Sequence, residues 1–168
     1  GSCADLDSMG ARNILLRRQQ HFKFTAVCKM KMPQLYPGQD AGMTCYYDEN
    51  TYLKYGVYCI HSRYFLQVFE KINMDEHVAF SKDITDAIMT QMSEIELQIT
   101  TDYLKRTFCY CCGKQETEPL GTLENVYYLC DEGIRKGKRF TGAMIGVYAY
   151  AAEECLKVNF RDFQYTGK

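Results

Sequence analysis

Two pairs of acids, Glu94 with Glu96 and Glu153 with Glu154, are the nearest approach to a catalytic carboxylate couple. Hydrolysis of a glycosidic bond needs two carboxyls about 5–10 Å apart across a cleft, one of them with a raised pKa. Glu94 and Glu96 alternate with Ile95, Leu97 and Ile99, which places them together on the wet face of a strand. A Glu-x-Asp-x-x-Glu strand motif is absent from the sequence. Cys109-x-Cys111-Cys112 with Cys130 offers thiolates, but structural zinc sites use C-x2–4-C pairs presented on turns. Here Cys109 and Cys111 share one strand face while Cys112 points to the other. His21, His61 and His77 lie far apart in sequence, and a buried strand thiol is inert as a nucleophile. Asp48-Glu49-Asn50 carries hard oxygen ligands that suit calcium, although the same run is also a plain turn. The expectation is no catalytic residue and no metal site, with calcium the one cofactor left open.

Aromatic side chains are the other chemistry on offer. Sugar rings present patches of C–H that lie flat on aromatic faces, with hydroxyls reaching polar groups around the rim. There are 14 tyrosines and 9 phenylalanines. Tyr46, Tyr47, Tyr52, Tyr55 and Tyr58 cluster in one hairpin, and Tyr127 and Tyr128 precede a charged loop. Tyr46, Tyr52 and Tyr128 are candidates for sugar contact, against the background that tyrosine favours strands with or without a ligand. Phe140 stands apart. It ends a glycine-bearing basic loop with Arg135, Lys136, Lys138 and Arg139, so it is either tucked under that loop or displayed to a partner.

The elements that must position these residues are strands. Every even position from Phe22 to Met32 is apolar, a period of two that marks a long strand with one wet face. Glu94 to Thr100 repeats the pattern. Between them, strands are expected over 41–47, 52–60, 64–72 and 77–80, separated by turns at 48–50, 62–63 and 73–75. Residues 83–92 read as a short helical turn or a loop. Later strands are expected over 106–112, 142–150 and 158–165, with a polar loop through Glu118-Pro119 and an exposed loop over 129–139. The 142–150 segment is apolar on both faces, as in a central strand. About ten strands at short spacing argue for an all-β sandwich or barrel.

Bulk properties narrow the partners. The 168 residues fit one domain, residues 11–168, preceded by an irregular segment 1–10 that opens on what reads as a cloning remnant, Gly1-Ser2. Twenty basic against 21 acidic side chains leave a net charge of −1, without the basic excess that grips nucleic acid. No stretch approaches the ~18 apolar residues of a membrane-spanning helix. Nine cysteines, an odd number in strand-like positions, read as reduced thiols and favour a cytoplasmic over a secreted setting.

Several segments, taken in order, resemble one family. They are Leu15-Leu16-Arg17-Arg18-Gln19-Gln20-His21-Phe22, Ala41-Gly42-Met43 leading into Tyr46-Tyr47-Asp48, and Asn50-Thr51-Tyr52. Asp102-Tyr103-Leu104 and Thr107-Phe108-Cys109-Tyr110 follow, then Cys130-Asp131-Glu132-Gly133, Arg139-Phe140-Thr141-Gly142-Ala143 and Asp162-Phe163-Gln164-Tyr165. Their joint order, from about Asn13 to Tyr165, is similar to the C-terminal concanavalin A-like domain of glycoside hydrolase family 43 β-xylosidases and arabinofuranosidases. Three departures stand out. Segment Cys3 to Gly10 matches weakly, the strand that usually reads with Ser is instead Cys109-Tyr110-Cys111-Cys112, and the family's frequent tryptophan is missing from a chain without any.

The resemblance implies a concanavalin A-like β-sandwich (jelly roll) of two antiparallel sheets with little helix. It also implies that the catalytic carboxylates sit on a separate five-bladed β-propeller. The sandwich would pack on that propeller, and one of its loops would help wall the sugar pocket with an aromatic side chain just before a Thr-Gly. The matching residues are Phe140, Thr141 and the preceding Arg139. The implied function is a non-catalytic accessory domain of a family 43-like glycosidase, with xylo- or arabino-oligosaccharide and the propeller as partners. An independent xylan-binding module and a purely structural interaction domain are the alternatives.

Overall fold

The computed structural model describes residues 3–90, 93–113, 116–135, 142–152 and 156–168. In chain order the strands are β1 (Ile14–Arg18), β2 (Lys23–Lys31), β3 (Asp40–Asp48), β4 (Thr51–Ile60), β5 (Arg63–Ile72) and β6 (Asp75–Asp83). A single turn of helix, α1 (Thr85–Met89), leads into β7 (Glu94–Asp102), β8 (Lys105–Cys112), β9 (Glu118–Leu123), β10 (Met144–Tyr150) and β11 (Phe160–Gly167). They form two antiparallel sheets, ordered β1-β10-β3-β4-β5-β6 and β11-β2-β7-β8-β9.

Period-two patterning explains the layering. Phe24, Ala26, Cys28 and Met30 of β2, with Ile95, Leu97 and Ile99 of β7, turn inward against Met43, Cys45, Leu53, Tyr55, Val57 and Ile145 of the other sheet. Tyr55 crosses the core, its hydroxyl donating to the Cys109 carbonyl at 2.6 Å. The outer face of the five-stranded sheet is wet and laced with ion pairs. Lys23–Asp102, Lys29–Glu96 and a two-pronged Arg161–Glu94 contact link β2, β7 and β11.

The outer face of the six-stranded sheet is different. Segment 3–10 has no regular structure, yet it drapes over this face. Leu6 is fully buried against Tyr52 and Tyr148, Asp5 pairs with Lys54, and Asp7 pairs with Lys71.

Four sequence expectations change. Glu118-Pro119 opens strand β9 instead of a loop, because β9 is the sheet edge, where a missing N–H costs no ladder bond. Strand β6 runs from Asp75 to Asp83, longer than the expected 77–80, because its polar residues pair along β5. The segment over 129–139 is not simply exposed: two short 3-10 turns, Tyr127–Leu129 and Asp131–Gly133, bury Leu129 and Ile134. Phe22 does not join the inward row, since β2 begins one residue later, and Phe22 is 77% exposed.

Candidate functional site

Phe140, Thr141 and Arg139 lie outside the described residues; the structure describes what anchors the segment that carries them. On the entering side, Ile134 is buried and the Arg135 amide donates to Asn73 Oδ1 at 2.8 Å. Gly133 fits there because a Cβ would stand 2.1 Å from the Tyr127 carbonyl oxygen. Below it Tyr128 is buried, and its hydroxyl donates to Glu70, whose other oxygen is 2.9 Å from His77 Nε2. Burial, together with the Glu70 charge, pushes the Tyr128 phenol far above its usual range. On the leaving side Gly142 takes φ +69°, a left-handed conformation that glycine adopts without penalty. The Gln19 amide then donates to the Ala143 carbonyl at 3.0 Å, one residue before β10.

A cleft of about 450 Å³ opens beside this anchor, and Gly142 and Ala143 line it together with Gln19, Phe22, Tyr103 and Arg106. Tyr103 and Leu104 form the two-residue turn between β7 and β8. Tyr103 has φ +53° and is 59% exposed. A non-glycine residue in that region costs about 1–2 kcal/mol. The turn is held from behind and from the side. Arg106 is buried and donates from Nη1 to the Tyr103 carbonyl at 2.7 Å, while the Tyr103 amide donates to the Phe22 carbonyl at 2.8 Å. The Phe22 and Tyr103 rings stack with centroids 5.9 Å apart. The result is an exposed apolar shelf next to the base of residues 136–141.

The weaker aromatic candidates do not join this shelf. Tyr46 and Tyr52 pair across β3 and β4 with their rings 5.9 Å apart on the outer face of the six-stranded sheet, and the Tyr46 hydroxyl donates to the Leu6 carbonyl. Tyr52 is fully buried there, and Tyr128 is buried beneath the loop base. Phe22 and Tyr103 are the aromatics that sequence reading passed over. The one available signal was an aromatic in a tight turn, Asp102-Tyr103-Leu104-Lys105, where small or polar residues are the rule. Among the described residues no group of three or more His, Cys, Asp or Glu could hold a metal ion. Asp48 Oδ1 instead caps its own turn, accepting from the Asn50 amide at 2.8 Å.

Comparison with known proteins places this geometry. A family model described as "Beta xylosidase C-terminal Concanavalin A-like domain" matches residues 1–166. The chain is similar to the GH43 protein BlXynB from Bacillus licheniformis at 26% identity and TM-score 0.87, covering 98% of this chain and 31% of that one. It is similar in fold to a xylan β-1,4-xylosidase from Bacillus halodurans C-125 at 20% identity and TM-score 0.85, covering 97% and 31%. A functionally unknown protein from Saccharomyces cerevisiae shares the fold at 14% identity and TM-score 0.69, covering 92% of this chain and 73% of that one. No curated protein matches in sequence. The chain thus spans about a third of the length of the two bacterial enzymes. With the match running from end to end and the two antiparallel sheets in place, the chain belongs to the β-xylosidase C-terminal concanavalin A-like domain family.

Proposed function

We propose that this chain is the non-catalytic accessory domain of a family 43-like glycosidase acting on xylose- or arabinose-containing oligosaccharides. It packs on the catalytic propeller through the Phe22–Tyr103 end, and residues 139–141 reach towards the sugar pocket. The observation that carries this reading is the apolar shelf. A strained turn displays Tyr103, Phe22 stacks on it, and both border the same cleft as the base of the Phe140 loop. Exposed aromatic surface next to a glycine-flanked loop is what a docking end requires. Family membership supports the setting, since the similar bacterial proteins are roughly three times as long as this chain.

The test is Phe140→Ala in the full-length gene product. Loss of one apolar wall of a sugar subsite should lower kcat/KM on aryl xylosides or xylobiose by about 10–200-fold, or 1–3 kcal/mol. Unchanged kcat and KM would remove Phe140 from the pocket.

A further inference from the structure

A cavity of about 630 Å³ lies on the outer face of the six-stranded sheet, beneath the N-terminal segment. Cross-strand register assembles its floor. Asp40 of β3 lies between Tyr150 of β10 and Tyr58 of β4, and Lys54 of β4 lies beside Phe69 of β5. Asp5 enters from the segment above. Lys54 Nζ stands 2.7 Å from Asp5 Oδ2 and 3.3 Å from Asp40 Oδ2, with the Tyr150 and Tyr148 ring centroids 5.1 and 5.2 Å away.

This is an unusual face for a sheet to turn outward. Lys54 and Asp40 are only 3% and 4% exposed, so both charges have lost most of their hydration. Tyr148 and Lys54 both reach the Asp40 carboxyl, but at Oδ2 Lys54 Nζ stands 3.3 Å away and no well-formed hydrogen bond closes that oxygen. A buried carboxylate oxygen left open costs free energy that a hydroxyl donor would recover.

The chemistry of the occupant follows from what the site already holds. Lys54 is paired with two carboxylates, so an anion finds no free cation. The same ammonium sits among the aromatic rings, in the place a cationic ligand would take. A neutral ligand remains. It needs hydroxyls to donate to Asp40 and Asp5 and to accept from Lys54, and a C–H face to lie on Tyr150 or Phe69. A cyclic sugar has all three, and the cavity is within the size range of small-ligand pockets. We propose that this cavity binds a single neutral sugar ring, at a place separate from the Phe140 end of the sandwich.

The 168-residue chain is to be titrated with D-xylose, L-arabinose and xylotriose and followed by NMR chemical-shift mapping. At least one probe should give saturable shifts at Asp40, Lys54, Phe69 and Tyr150, with a Kd on the order of millimolar. Tyr150→Ala should weaken that binding at least about tenfold by removing a stacking face. Ser8→Trp, which puts bulk into the cavity from a lining residue outside the ion pair, should abolish it. No saturable shift with any of the three probes, shifts confined to the Phe22–Tyr103 end, or binding indifferent to both variants would each overturn the proposal. The accessory reading is untouched by any of these results, because it is tested by turnover of the full-length protein.

Discussion

At the scale of single residues, Asp40 carries a strongly perturbed carboxyl. Burial raises it to about 6, more than Lys54 pulls it down, and Asp5 adds to the rise. Between about pH 4 and pH 6 the unfolded chain has released this proton while the folded chain keeps it. Stability from this group therefore falls as pH rises through that window, and the loss is complete above it. Asp40→Asn cannot titrate. Its stability relative to wild type should improve by up to about 3 kcal/mol between pH 4 and pH 7. Urea unfolding of both proteins at the two pH values measures this, and a gap independent of pH would show that Asp40 keeps an ordinary carboxylate pKa. In the sequence Tyr46 and Tyr52 were legible only as members of a tyrosine-rich hairpin; pairing of β3 with β4 puts them, with Lys54, on one face. Whether that side is covered depends on Leu6 and Asp5, some 40 residues away, and no local pattern records it.

At the scale of elements, the two sheets are held by apolar layering and by polar crossings, among them Tyr55 in the core and Lys82 of β6 with Tyr110 and Glu118 at the edge. Tyr55 on β4 reaches the Cys109 carbonyl on β8, where the pairing with β9 is interrupted by a bulge between Phe108 and Cys109. The buried phenol supplies that carbonyl with a donor beside the break in register. Burial pushes the Tyr55 hydroxyl well above its ordinary pKa, so it stays a donor at any physiological pH. Tyr55→Phe should cost about 1–2 kcal/mol, because the buried carbonyl is left without its partner. Chemical denaturation reads this directly, and a change in midpoint without a change in slope is the expected form. Strand β9 and the 3-10 turns over 127–133 were not legible for related reasons. An edge strand with Pro119 lacks the alternation of a covered strand, and a loop that buries Leu129 and Ile134 has no period at all.

At the scale of the whole molecule, one end of the sandwich gathers exposed aromatics and the loop base. Tyr103→Gly tests that end in a way that separates folding from docking. Relief of the left-handed strain, about 1–2 kcal/mol, is offset by the lost Phe22 stack and by glycine's extra freedom in the unfolded chain. The isolated domain should therefore keep its stability to within about 1 kcal/mol. In the full-length protein the same change should loosen the packing of the sandwich on its neighbour. Scanning calorimetry would show a single coupled transition in wild type and two separated transitions in the variant. Coupled unfolding that survives the change would move the docking surface elsewhere.

Alternation in two segments and turn residues between the others pointed to an all-β chain and most of its strands, since both are written in the local order of side chains, while the family resemblance supplied the concanavalin A-like class. The same order placed Phe140 before a Thr-Gly at the end of a basic loop. Tertiary structure alone decided which faces meet water, because burial depends on contacts between residues distant in sequence. It brought Phe22 beside Tyr103, set Asp5 and Leu6 over Lys54 and Tyr52, and thereby buried a charge pair on the outer face of the six-stranded sheet.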